Sequence, residues 1–243
     1  MMGTLKAEFR KLLTLRSSYG IAVVCLALLF LFTFYGTGFH SQPGDLANPH
    51  LLANQASDAV SFLGVIGALI AVLLVTNEYR YNLVVYTFTA SKSRTRVVVA
   101  KLLAVTVYAV VFAALFAILA PILASAGLHL HGAHYVHQSI PYASLSWRIL
   151  YGGWALFMYA FIIAMLIRNQ VGALVTAFVF PGIVNQLLTL VFRGNSKYLP
   201  YFAVDNLLHG GDLSYGKATA VVALYVASGV LVAWWLFSKR DAN

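Results

Sequence analysis

The sequence predicts an all-α membrane protein: six transmembrane helices preceded by an amphipathic N-terminal helix in the membrane interface, with both termini cytoplasmic. Three observations carry this. Of 243 residues, 61% are hydrophobic and only 9% charged, and the mean hydropathy of +0.82 lies far above that of soluble chains. The apolar residues gather in six long runs, at residues 19–36, 59–76, 97–124, 147–167, 171–192 and 218–237, each near or above the roughly 18 residues that mark a span. The basic residues are unevenly shared between the loops. With the N-terminus inside, 12 of the 16 fall on the inner side: Lys6, Arg10, Lys11, Arg16, Arg80, Lys92, Arg94, Arg96, Lys101, Arg168, Lys239 and Arg240. Only Arg148, Arg193, Lys197 and Lys217 fall outside. The net charge of +9 is therefore a topology signal and not a nucleic-acid footprint. What remains between the runs is too short for a soluble catalytic domain, so the chain reads as one transmembrane domain over residues 1–243. Cys25, the single cysteine, lies in the first run and leaves no intrachain disulfide to form.

Each element follows from its residues. In residues 1–18, Leu5, Phe9, Leu12 and Arg16 recur at helical spacing, with Lys6, Arg10 and Lys11 largely on the other side of the wheel, which describes a helix lying in the inner interface. An ordinary basic flank satisfies the same charge rule and stays open. No small-x-small cleavage site follows the first run, so that run reads as a retained anchor. In the second, Ser57, Ser61, Gly64, Ala68 and Ala71 line one face with small residues and invite close approach of another helix. The third is longer than the bilayer is thick, and either extends beyond it or bends at Pro121. Pro181 and Gly182 predict a bend in the fifth. Residues 193–217 form an external segment before the sixth.

Polar groups within the runs are few and uncharged. All seven acidic residues lie in loops or near run ends, so no ionisable group stands at mid-membrane for a coupled ion. Thr33, Thr176, Asn185, Gln186 and Thr189 are the candidates for a translocation path, and hydrogen bonding between helices accounts for them equally well.

Two motifs suggest other chemistry. Gly211, Gly216 and Lys217 have the spacing of a phosphate-binding loop, but Ala218 stands where a magnesium-binding hydroxyl belongs and no strand precedes them. They read as a glycine-rich turn. His129, His131, His134 and His137 cluster in one outer loop and are the candidate metal ligands, although no Cys, Asp or Glu accompanies them. A histidine-dependent metal-handling protein or membrane-embedded enzyme is thus the alternative function. A membrane anchor that only recruits a partner is a third.

The most specific stretch joins the second and third runs, over residues 77–101. Glu78 ends the second run, where the helix macrodipole disfavours a carboxylate, so a cationic partner is expected from Arg94, Arg96 or Lys101. Between them Leu83, Val84, Val85 and Phe88 form an apolar cytoplasmic patch of the kind that marks a docking surface. Here the sequence resembles the permease subunits of ABC-2 type exporters, in which a Glu ends the second span and a Ser-Arg pair precedes a Lys of the third. Glu78, Ser93 with Arg94, and Lys101 match; Tyr81, Asn82 and Leu83 depart from the family's glycine-threonine-leucine. The resemblance implies a type V ABC exporter-like fold and a half-transporter without ATPase activity of its own. It would bind no cofactor itself, with ATP and magnesium held by a separate nucleotide-binding ATPase subunit. A second permease copy, identical or related, would complete the path across the cell membrane. It further implies that residues 77–96 form a cytoplasmic coupling loop, with Glu78, Tyr79, Arg80, Asn82, Leu83, Val84, Val85, Phe88, Arg94 and Lys101 contacting or positioning the ATPase subunit. Residues 193–217 would correspond to short external helices dipping toward the membrane.

Overall fold

The computed structural model describes residues 2–14, 16–39, 51–80, 93–131 and 142–239, which contain helices and no strand. Helix α1 (Met2–Thr14) is followed by α2 (Arg16–Leu29), which continues through wider π-type turns over Phe30–Phe39. Then come α3 (Leu51–Arg80), α4 (Arg94–Leu130) and α5 (Tyr142–Ile167). Helix α6 (Gln170–Val179) passes through a π turn at Phe180–Val184 into α7 (Asn185–Phe192) and a 3-10 segment, Arg193–Tyr198. The short α8 (Pro200–His209) and the long α9 (Tyr215–Lys239) complete the order. Among the described residues, six stretches are long and apolar enough to cross a membrane, beginning with Tyr19–Gly36 and ending with Tyr215–Lys239. The chain is a multi-pass membrane protein.

Contacts between helix ends define an up-and-down bundle. At the end carrying α1, here called basal, Lys11 meets Glu78 near the end of α3 and Glu8 meets Lys101 near the start of α4, Arg168 lies over the Tyr79 and Phe237 rings, and Trp234 donates to Thr95. At the opposite, distal end, Phe39 stacks near His131, Asp58 meets His209, and Arg148 lies over Tyr215. The spans alternate between these ends, and α8 returns into the bundle from the distal side. Its outer tip, His209, sits beside the start of α3, whereas its N-terminus reaches Tyr159, far along α5, whose hydroxyl donates to the Pro200 carbonyl at 3.3 Å.

Helices α3 and α5 form the centre. Their most apolar windows are 75% and 67% buried, against 17% for the first span and 11% for the fifth. The predicted small-residue face of α3 makes this possible, because apolar side chains gain little from leaving lipid and packing then depends on close approach. Leu156 of α5 packs at Gly64, but the tightest point is Gly67, where an added Cβ would fall 2.8 Å from the Phe157 ring. Regular four-three spacing passes over Gly67, so sequence reading missed it.

The third span extends beyond a membrane's thickness. Helix α4 runs unbroken through Pro121 for 37 residues, about 55 Å at ~1.5 Å per residue. In the fifth span the turn changes from α to π where Pro181 removes an N–H donor. The glycine-rich loop has a structural role. Gly210 and Gly211 take φ of +81° and +147°, and a Cβ at Gly211 would lie 2.6 Å from Asn206 Oδ1. That oxygen accepts from the Leu213 N–H, which fastens the turn between α8 and α9.

Candidate functional site

The basal end holds four charged side chains from three helices. Glu8 and Lys11, one turn apart on α1, face Glu78 near the end of α3 and Lys101 in the second turn of α4. The Lys101 ammonium is 1% exposed and its three N–H groups have three acceptors: Glu78 Oε1 at 2.8 Å, Glu8 Oε2 at 3.0 Å and the Leu74 carbonyl at 3.3 Å. Lys11 donates to Glu8 Oε1 at 2.8 Å and also to Glu78 Oε1. Glu8 is wholly buried and Glu78 nearly so. The cluster is therefore charge-neutral, and each carboxylate touches both ammonium groups. Burying an ion costs several kcal/mol unless its partners are close and its hydrogen bonds complete, conditions met here. Burial lowers the Lys11 pKa, but Glu78 and Glu8 outweigh it and hold that ammonium above its ordinary value.

These contacts answer the sequence expectation for Glu78. Lys101 supplies the partner; Arg96 is exposed, and the Arg94 and Arg80 side chains lie outside what is described. Lys11 and Glu8 are additions. Glu8 is no solvated flank residue, because its stretch of α1 lies against α4 and both its carboxylate oxygens are taken by lysines. Tyr79, adjacent to Glu78, lies under Arg168, whose φ of +60° forms the two-residue turn between α5 and α6. Asn82, Leu83, Val84, Val85 and Phe88 fall outside the described residues.

The five candidate path residues are dispersed. Thr33 is on the first span and returns its hydroxyl to the Leu29 carbonyl at 2.6 Å. Thr176 lines an apolar cleft of about 430 Å³ between α5, α6 and α9. Asn185, just past the π turn, is buried, and its Oδ1 has no hydrogen-bond partner among the described residues. Gln186 is exposed, and the Thr189 hydroxyl donates to its carbonyl at 2.6 Å. Of the four candidate metal ligands, His129 and His131 are exposed at the distal end, His131 beside the Phe39 ring, while His134 and His137 lie outside the described residues. Among the described residues no three His, Cys, Asp or Glu side chains are grouped to hold a metal ion.

A second charged site, not anticipated from sequence, sits at the distal end. His209 Nδ1 is 2.9 Å from Asp205 Oδ1 and Nε2 is 3.0 Å from Asp58 Oδ1. With a carboxylate at each ring nitrogen, both must donate, which only the imidazolium does. The Asp205 hydrogen bond, then that of Asp58, pushes this pKa up to about 9 against the opposing effect of burial. Behind it the Leu208 carbonyl accepts from Ser57 Oγ at 3.2 Å and from the buried Arg148 at 3.3 Å, satisfying the C-terminal end of α8.

Comparison with known proteins finds a family match. The family described as ABC-2 family transporter protein matches residues 4–185, from α1 to the first residue of α7. No curated protein matches the chain.

Proposed function

The chain belongs to the ABC-2 family of transporter proteins, and from that premise we propose that it is the permease subunit of an ATP-driven exporter, coupled to separate nucleotide-binding subunits at its basal end. That family is a membrane transport component and not itself catalytic. On this reading the basal end is cytoplasmic, both termini face the cytoplasm of the cell membrane, and a second permease copy completes the path. ATP and magnesium reside in the partner.

The observation that carries the reading is the Glu8, Lys11, Glu78 and Lys101 cluster. Residues 81–92 leave α3 two residues after Glu78 and re-enter α4 shortly before Lys101, so a force on that loop reaches two helices whose ends are locked to each other and to α1. A docking loop with loose ends would absorb such a force. Here three helices must move together. Helix α1, exposed on one side and pinned on the other, is placed to move with them.

Coexpression with a nucleotide-binding ABC ATPase subunit from the same genome tests the proposal: the two should copurify, and vesicles holding both should show ATP-dependent transport. A chain that transports alone, or captures no ATPase, sinks it. Lys11→Gln separates coupling from folding. Lys11 is the most exposed member, so we expect a smaller fall in melting temperature than Lys101→Met causes and retained ATPase binding, with severalfold less ATP-driven transport.

A further inference from the structure

Beneath α8 lies a partly open cavity of about 210 Å³, lined by Gly64 and Ala68 of α3, Ala160 of α5, Ala177 and Phe178 of α6, and Tyr201 of α8, with Asp205 and His209 at its mouth. It lies within one protomer and needs no second copy. We propose that this cavity is a binding site for a compact cationic amphiphile, an organic ammonium on a short apolar chain, with the ammonium against the Asp205 carboxylate at the mouth, Asp58 across His209 adding to the negative charge there, and the chain among the small residues below.

The body of the ligand follows from the walls. Three glycine and alanine positions on α3 and α5, with Ala177 opposite, leave room that larger side chains would fill, and the lining is mainly apolar. The volume is below the roughly 300–1,000 Å³ of sites for drug-sized ligands, so the occupant is small. The sign of its head follows from the rim. Asp205 and Asp58 each commit Oδ1 to His209 and have Oδ2 without a protein donor among the described residues. Two carboxylates against one imidazolium leave the mouth one negative charge. Their side chains are 63% and 59% exposed, so a cation reaches them without crossing protein. Arg148, which also reaches α8, is held by the Ser144 and Leu208 carbonyls and over the Tyr215 ring, and does not line the cavity. An anionic amphiphile would meet both carboxylates at the mouth. A neutral one would gain nothing from them. A head in the distal interface with its chain directed inward is also how an amphiphile enters from a bilayer.

The chain alone, in lipid nanodiscs, tests this with tritiated octyltrimethylammonium, whose charge does not change with pH. Saturable binding is expected, competed by unlabelled octyltrimethylammonium but not by octanol or octanoate. Asp205→Asn should weaken it at least tenfold and Ala177→Leu, which fills the cavity, should abolish it. Asp212→Asn removes the same charge from an exposed loop outside the cavity and should leave binding unchanged. Competition by octanol equal to that by the ammonium compound, or wild-type affinity in Asp205→Asn, overturns the proposal. Asp205 is exposed, so its variant reports on binding even if Ala177→Leu fails to fold. Because no ATPase is present, a negative result leaves the transport reading standing, and failure to capture an ATPase leaves this site standing.

Discussion

The two charged sites at opposite ends of the bundle solve different problems. The basal cluster is buried, neutral and complete: two carboxylates, two ammonium groups and a backbone carbonyl from three helices leave the Lys101 ammonium no unused donor. The distal site is exposed and incomplete, with one imidazolium shared between two carboxylates that face water. Removing one partner from a buried cluster strands a charge and costs about 3–5 kcal/mol, whereas an exposed pair contributes about 0–1 kcal/mol. The contrast teaches that charge serves as a fastener at one end and as a replaceable contact at the other.

The sharpest way to break the comparison is Lys101→Met. It leaves Glu8 and Glu78 facing one ammonium, and we expect a loss of about 3–5 kcal/mol, read as a large fall in apparent melting temperature in detergent. Adding Glu78→Met removes the surplus carboxylate, leaves Glu8 with Lys11, and should recover most of the loss. A double variant no better than the single would show that the cluster is not a neutral unit. Arg148→Met comes next. It withdraws charged hydrogen bonds from the Leu208 and Ser144 carbonyls without stranding an opposite charge, so about 1–3 kcal/mol is expected. The smallest effect belongs to His209→Gln, at about 0–1 kcal/mol because its partners are screened by solvent. Its signature is pH. The folded-state pKa is raised from 6.5 to about 9, so its stabilisation is complete below 6.5 and disappears as pH rises through 9. Wild type should lose stability across that window, and His209→Gln should lose less.

The spans were legible because composition and run length determine them almost alone. The first appears at residues 19–36 in both sequence and structure. Glu78 was legible as a carboxylate in need of a partner, since the macrodipole argument is local, and Lys101 stood within a short loop of it. Glu8 and Lys11 were not. Three residues apart on the charged side of an amphipathic helix, they look like any solvated face, and only tertiary packing brings Lys11 to a residue 67 positions away. His209 and Asp58, separated by 151 positions, gave no local signal at all. Gly67 was missed for a different reason: the small-residue pattern was regular, and the closest approach occurs off it. Asp205 and Asn206 stand in the external segment with no motif to mark them, yet one rims the cavity and the other fastens the turn into α9.

Helix α4 carries a consequence of its own. At 37 residues, some 55 Å, it exceeds the ~30 Å hydrocarbon thickness, and no break at Pro121 absorbs a displacement along it. It is held near one tip by the carboxylates around Lys101, and toward the other it packs along the π-type turns of the first span, with His131 beside the Phe39 ring. A small tilt imposed at its first two turns becomes its largest excursion at Leu130 and His131, on the far side of the membrane. A spectroscopic label there would watch, from the distal end, what happens at the basal one.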